Sequence, residues 1–259
     1  MIVDLHNHTS RCNHATGTME AYLLRAIENK TQFYGFSDHA PMNFDTQYRM
    51  SFEEMPRYFQ EIHYLQQKYQ DQITLLRGLE VDYLPGYMDS RVLNADVDYL
   101  IGSIHFLDKW GFDNPQYISE YEKQDINQIW IDYFQTIEDM AQTQHFDIVG
   151  HIDLIKVFKY YPSKDISTYI SKSLDAIKDN NLVIELNVAG LRKKCKEIYP
   201  SVEILTMAYQ KGIDITFSSD AHKVDDVGYK SLELIKAAKD VGYKQCAIFR
   251  NRTKELINF

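Results

Sequence analysis

The segment Ile2-Val3-Asp4-Leu5-His6-Asn7-His8 ends in two histidines separated by one residue. On an extended strand, side chains two apart point the same way, so His6 and His8 present their imidazoles side by side. If both were protonated they would repel. Neutral, they make half of a metal site, since imidazole is the commonest ligand for zinc and similar ions. Five further histidines and two carboxylates fall at comparable places: His14, His39, Glu80, His105, His151, Asp220 and His222. Seven imidazoles with two carboxylates exceed the roughly four ligands one ion takes, and suit two or three ions sharing a carboxylate. Imidazole-rich ligation favours zinc, iron, manganese or cobalt over magnesium or calcium. Bridged ions activate a shared water and hold the oxygens of an in-line displacement, which makes phosphate ester hydrolysis the natural chemistry. His63, inside a predicted helix, and His145, just before a predicted strand, are read as non-ligands.

The elements that must position these residues alternate along the chain. Strands are expected at 2–5, 32–37, 73–79, 97–104, 146–150, 182–187 and 214–219, with a further short one at 246–250. Helices are expected at 19–30, 51–70, 125–144, 165–180, 201–211 and 227–241. Thr18 can cap the first, Ser51-x-x-Glu54 reads as a capping box on the second, and Gly212 stops the fifth. Apolar strands alternating with amphipathic helices imply a parallel sheet, and seven or eight such units favour closure into a barrel. Barrel chemistry sits at the C-terminal strand ends. His6, His39, Glu80, His105, His151 and the pair Asp220 and His222 follow strands one, two, three, four, five and seven. Closure would gather them at one mouth.

Composition narrows the function class. With 44% apolar and 25% charged residues the chain reads as one globular α/β domain over residues 1–259. The formal net charge of −9 argues against non-specific nucleic-acid binding and against an anionic membrane surface. No apolar run approaches the ~20 residues of a membrane-spanning helix. The three cysteines, Cys12, Cys195 and Cys246, form no C-x-x-C, and no secretory leader is seen, so a cytoplasmic location is expected. Cys12, two residues before His14, is read as a non-ligand thiol.

The stretches D-L-H-N-H-T, C-N-H-A-T-G-T, F-S-D-H-A-P, G-L-E-V-D-Y, I-G-S-I-H-F-L-D, V-G-H-I-D-L-I, E-L-N-V-A-G-L-R-K and S-S-D-A-H cover most of residues 4–222. Through them the chain resembles the polymerase and histidinol phosphatase (PHP) superfamily, and within it the monofunctional histidinol-phosphate phosphatases. The resemblance implies a distorted (β/α)7 TIM-like barrel with a three-metal site. One metal would take His6, His8, Glu80 and Asp220. A second would take His105 and His151 and share Glu80. The third would take His14, His39 and His222. It further implies hydrolysis of a small phosphorylated metabolite, L-histidinol phosphate, in histidine biosynthesis.

Around the metals, Arg192 in the loop after strand six could clamp two phosphate oxygens. Lys156, near the end of strand five, is the candidate second phosphate contact, where similar phosphatases often carry Arg. Asp4 and Asp153 could each accept the free ring N–H of a ligand histidine. His39, His222 or a bound water could protonate the leaving alkoxide. Phe106, Asp108, Trp110 and Asp113 could meet the cationic end of the substrate. The rivals are a phosphoesterase acting on another small monoester or on a nucleotide or oligonucleotide phosphodiester, an amidohydrolase, and a metal-binding accessory domain without turnover. An amidohydrolase usually places a lysine at strand four, where this chain has His105.

Overall fold

The computed structural model describes residues 1–259. Seven parallel strands form one sheet in sequence order: β1 Val3–Asp4, β2 Phe33–Phe36, β3 Thr74–Asp82, β4 Tyr99–Ser103, β5 Ile148–Val149, β6 Val183–Asn187 and β7 Ile215–Ser218. Each pairs with the next in register, for example Glu80 opposite Ile101 and Glu185 opposite Thr216. The ring closes between its first and last members. The Leu5 N–H donates to the Phe217 carbonyl at 3.0 Å, Asp220 N–H to the His6 carbonyl at 2.7 Å and His8 N–H to the Ala221 carbonyl at 3.0 Å. The result is the expected (β/α)7 TIM-like barrel.

Helices α1 Met19–Glu28, α2 Met55–Tyr69, α3 Ser90–Leu93, α4 Ile126–Gln142, α5 Ser167–Asp179, α6 Val202–Gln210 and α7 Ser231–Val241 connect the strands. Thr18 caps α1 by accepting the Ala21 N–H, as its position predicts. The reading at Ser51 holds by half. The Ser51 hydroxyl accepts the Glu54 N–H, but the Glu54 carboxylate turns to Arg57 and Arg11, and a separate turn precedes α2. No helix is long and apolar enough to cross a membrane.

Alternation along each strand sorts the barrel. On β3, Leu75, Leu79 and Val81 join the apolar layer under the helices, while Leu76 belongs to the second apolar cluster. In phase with Leu76 lie Gly78, Glu80 and Asp82. Gly78 and Gly35 are required by Tyr99, whose ring spans the interior to donate to the Leu5 carbonyl at 2.6 Å. A Cβ at Gly35 would fall 1.9 Å from the Tyr99 hydroxyl, and one at Gly78 2.4 Å from its ring.

Three expectations shift. The third strand runs on to Asp82, so Glu80 sits within it and not past its end. The last helix begins at Ser231, four residues later than expected at 227, after a short turn at Val224–Asp226. The C-terminal segment is a second strand: β8 Gln245–Arg250 and β9 Thr253–Asn258 form an antiparallel hairpin outside the barrel sheet. The hairpin seals the N-terminal end of the barrel, with Cys246, Ile248 and Phe249 packed in one cluster with Tyr99, Ile101, Ile215 and Phe217.

Candidate metal centre

At the opposite end, the barrel gathers all nine residues singled out by sequence. Glu80 stands at the centre, 1% exposed. Its Oε2 lies 3.3 Å from His6 Nε2, 3.7 Å from His8 Nε2 and 2.8 Å from His39 Nδ1. Its Oε1 lies 3.0 Å from His151 Nε2 and 3.7 Å from His105 Nε2, and accepts the Ser103 hydroxyl at 2.7 Å. Five imidazoles from four strand ends thus meet one carboxylate, β1 supplying both His6 and His8. His8 Nε2 is also 3.2 Å from Asp220 Oδ1. His14 and His222 complete the rim, with ring centroids 4.7 Å apart, and His222 stacks on His8 at 4.0 Å.

Donor atoms converge within 4.8 Å in the sets His6, His8, Glu80 and His14, His39, His222; the first holds three of the four residues expected to share an ion, the second all three of another expected group. His39, Glu80 and His105 form a third such set, so His39 faces two positions. His8, Cys12 and His222 form a fourth, but burial and the nearby Asp38 push the Cys12 thiol pKa up, and the thiol donates to the Thr9 carbonyl. Among buried polar atoms, His6 Nε2 and Glu80 Oε2 make no well-aligned hydrogen bond although they lie 3.3 Å apart, and His151 Nδ1 has no partner. Buried polar groups are otherwise paired almost without exception. Orphans converging in an imidazole-rich donor set fit divalent transition-metal ions.

Electrostatics without metal follows from this crowding. Burial opposes charge on His6, but Glu185, Glu80 and Asp220 outweigh it and raise its pKa well above the ordinary value. The same contest raises His8 to about 9, through Asp220 and Asp38, and His105 to about 10, through Asp82 and Glu80. His39 falls to about 4 and His222 well below the usual range, because burial and neighbouring imidazoles prevail. Burial works against the Glu80 and Asp220 carboxylates, yet the surrounding histidines hold both well below the ordinary range.

Three buried carboxylates that sequence reasoning left unassigned support the imidazoles from behind. Glu185 Oε1 is 2.6 Å from His6 Nδ1, Asp38 Oδ1 is 3.3 Å from His8 Nδ1, and Asp82 Oδ1 is 2.5 Å from His105 Nδ1. In each case the contact leaves Nε2 facing Glu80. The sequence did carry a signal for two of them: Asp82 is in phase with Glu80, and Asp38 adjoins His39. The residues nominated for this role serve elsewhere. Asp4 accepts the Asn7 amide and both the N–H and hydroxyl of Ser219, tying β1 to the end of β7. Asp153 accepts Lys156 and the Ser201 N–H.

The phosphate candidates divide. Lys156 is 2% exposed and its ammonium is consumed by Asp153 at 2.7 Å, the Ile198 carbonyl at 2.8 Å and Glu197 at 3.1 Å, so it does not line the cavity. Arg192 does line it. One guanidinium nitrogen, Nη2, is bound to the Ser219 and Asp220 carbonyls at 2.9 and 2.7 Å, while Nη1 is buried without an acceptor. The cavity over the cluster measures about 640 Å³. Phe106 and Asp113 reach its wall, whereas Asp108 and Trp110 lie outside it. Asp45, from the loop after β2, joins them.

The PHP domain family matches residues 4–189. This chain belongs to that family. Among PHP relatives it is 36% identical over 97% of its length to a "probable histidinol-phosphatase" of Deinococcus radiodurans, 97% of which is covered. It is 31% identical to the histidinol-phosphatase of Bacillus subtilis, covering 87% of this chain and 95% of that one. Among solved PHP structures, the histidinol phosphate phosphatase of Lactococcus lactis, crystallised with zinc, L-histidinol and phosphate, superposes with a TM-score of 0.78 at 21% identity, covering 98% of each chain. At that identity the superposition speaks for the fold.

Proposed function

We propose that this protein is a metal-dependent phosphomonoesterase that hydrolyses L-histidinol phosphate to L-histidinol and phosphate in histidine biosynthesis. The observation that carries the reading is Glu80 with five imidazole nitrogens from four strand ends at 2.8–3.7 Å, in a chain so similar over its whole length to histidinol-phosphatases. His6, His8, Glu80 and Asp220 would hold one divalent ion, His105 and His151 with Glu80 a second, and His14, His39 and His222 a third. Zinc, iron and manganese all suit these donors. When bound, such ions polarise phosphoryl oxygens and make water nucleophilic at neutral pH. Five buried carboxylates (Asp38, Glu80, Asp82, Glu185 and Asp220) bring enough negative charge to balance two such ions and to offset part of the charge of a third.

The chain's own groups do the rest. Arg192 offers Nη1 to a phosphate oxygen, and its Nη2 contacts fix the guanidinium plane in advance. His39 and His222 stay neutral at pH 7, which suits ligation better than proton donation and leaves the alkoxide to take its proton from solvent. Asp113 and Asp45 line the cavity, as do Arg192, Lys193 and Lys223, and the two carboxylates would welcome a substrate cation. Three buried free cysteines support a reducing, cytoplasmic setting, and we take residues 1–259 as one domain.

Phosphate release from L-histidinol phosphate, p-nitrophenyl phosphate and a phosphodiester, with metal content measured on the same sample, tests the reading. Fast release selective for histidinol phosphate, with two or three ions bound, is expected. Metallated protein inert on it but active on another ester would overturn the substrate.

A further inference from the structure

Strand β6 contributes none of the nine residues at the metal centre, yet its inward side chains touch three of them. Glu185 Oε1 lies 2.6 Å from His6 Nδ1, and its Oε2 accepts the backbone N–H of His151 at 2.7 Å. Oε2 also accepts the Asn187 amide at 3.1 Å, and the same amide nitrogen donates to Asp220 Oδ2 at 3.1 Å. Asn187 is fixed in turn because its Oδ1 accepts the Ala189 N–H at 2.7 Å. Glu185 and Asn187 are fully buried. The three residues they hold come from β1, β5 and β7, and no other side chain of the site spans these three.

Two of the three residues need holding. His151 has φ +20° and Asp220 φ +49°, backbone that residues with a side chain seldom adopt and that surrounding contacts must maintain. The His151 N–H is held by Glu185 itself. The Asp220 N–H is held by the His6 carbonyl at 2.7 Å.

We propose that Glu185 is a positioning residue that serves two ion positions at once, the one formed by His6, His8 and Asp220 and the one formed by His105 and His151, so that removing its carboxylate weakens both together. Only a carboxylate meets the demand. With His6 Nε2 turned to an ion, Nδ1–H is a donor, and so are the His151 N–H and the Asn187 amide. Both oxygens of residue 185 must therefore accept. A glutamine there has one acceptor oxygen, and its amide hydrogens would confront a donor on one side or the other. The proposal rests on the metal reading above and not on the identity of the substrate.

The test uses full-length protein stripped with a chelator and titrated with Zn²⁺ against a chromophoric competitor, without substrate. In Glu185→Gln, Zn²⁺ affinity should fall about 10–100-fold at both positions together, the scale seen for outer partners of ligating histidines. His105→Ala, as reference, should weaken one position and spare the other. Histidinol phosphate turnover by Glu185→Gln should recover as Zn²⁺ is raised, a rescue that a merely structural defect would not show. Loss at a single position, unchanged affinity, or turnover that excess Zn²⁺ does not restore would overturn the proposal. If Glu185→Gln does not fold, Asn187→Ser decides. It removes the amide bonds to Asp220 and to Glu185 Oε2 but keeps the Glu185 contacts with His6 and the His151 N–H, so weakening centred on the first position supports the proposal and no change overturns it. A wild-type chain that binds Zn²⁺ and shows the Glu185 effect but leaves histidinol phosphate intact would sustain the proposal while the substrate reading fails.

Discussion

The two ends of the barrel handle buried charge in opposite ways. At the sealed end, every carboxylate beneath the strands is matched. Asp98 accepts the Arg77 and Asn251 N–H groups, Asp147 accepts the Leu100 N–H and pairs with Arg252, and Asp214 pairs with Lys254 at 2.8 Å. The terminal hairpin β8–β9 supplies Asn251, Arg252 and Lys254, so one short element satisfies the starts of β4, β5 and β7. At the open end, carboxylates are just as dense, but the partners are imidazoles, and His6 Nε2, Glu80 Oε2 and His151 Nδ1 are left over. Satisfied polarity makes a lid that holds the fold. Unsatisfied polarity, in deeper burial, marks the donor set that fits metal ions.

That contrast can be broken most directly at Glu80. Glu80→Gln should cut turnover by about a thousandfold or more, beyond the ~10–100-fold of an outer partner, and lower bound metal measurably, with far-UV circular dichroism unchanged. Retention of wild-type metal content would dissolve the distinction between the two ends. Asp82→Asn and Asp38→Asn should each cost about 10–100-fold in metal affinity, read by competition titration, because the imidazole behind each loses its anchor.

At the sealed end the expected sign of the split reverses. Arg252→Ala leaves Asp147 partly unpaired and should lower unfolding free energy by about 1–3 kcal/mol in urea titration, while kcat/KM and metal content stay within about twofold. A large activity loss there would mean the hairpin does more than close the barrel.

The pH response sharpens the comparison further. In the chelated chain, His8 and His105 have pKa values raised to about 9 and 10, so the stability they contribute is full below the ordinary histidine value of 6.5 and is lost as pH rises through 9–10. His39 is depressed to about 4, so its contribution is present above 6.5 and lost as pH falls toward 4. Chelated protein should therefore be most stable between these limits, with metal-loaded protein losing the alkaline decline because the ions take the place of the protons. Loading at pH 7.5 should release protons into a weakly buffered solution, chiefly from His6, His8 and His105. The smallest effect is expected at Asp113: Asp113→Asn should raise KM for a cationic phosphomonoester about two- to fivefold, the worth of a solvent-exposed ion pair, and Asp108→Asn should change nothing.

His14 follows no strand, but the candidate donor set was legible in the sequence because most members lie at or just past a strand end, which hydrophobic periodicity locates. Arg192 was legible for the same reason. What stood behind the ligands was not. Glu185 lies 179 residues from the histidine it supports, and Asp82 lies 23 from His105. A period of two says which face a side chain takes but not which neighbour it meets across the barrel. Lys156 shows the limit in the other direction: its place at the end of β5 suggested phosphate, but the loop 193–199 folds back and presents two acceptors to it beside Asp153.

By itself, then, the order of residues determined the strand and helix alternation, the closed parallel barrel and the nine donors at its C-terminal mouth, because these depend on local periodicity and on which residues end each strand. The tertiary structure alone decided which carboxylate steadies which imidazole, that Glu185 joins β1 to β5 and, through Asn187, β7, and that the last residues form a plug. Those outcomes depend on the register and closure of the ring, which bring together atoms that no local spacing connects.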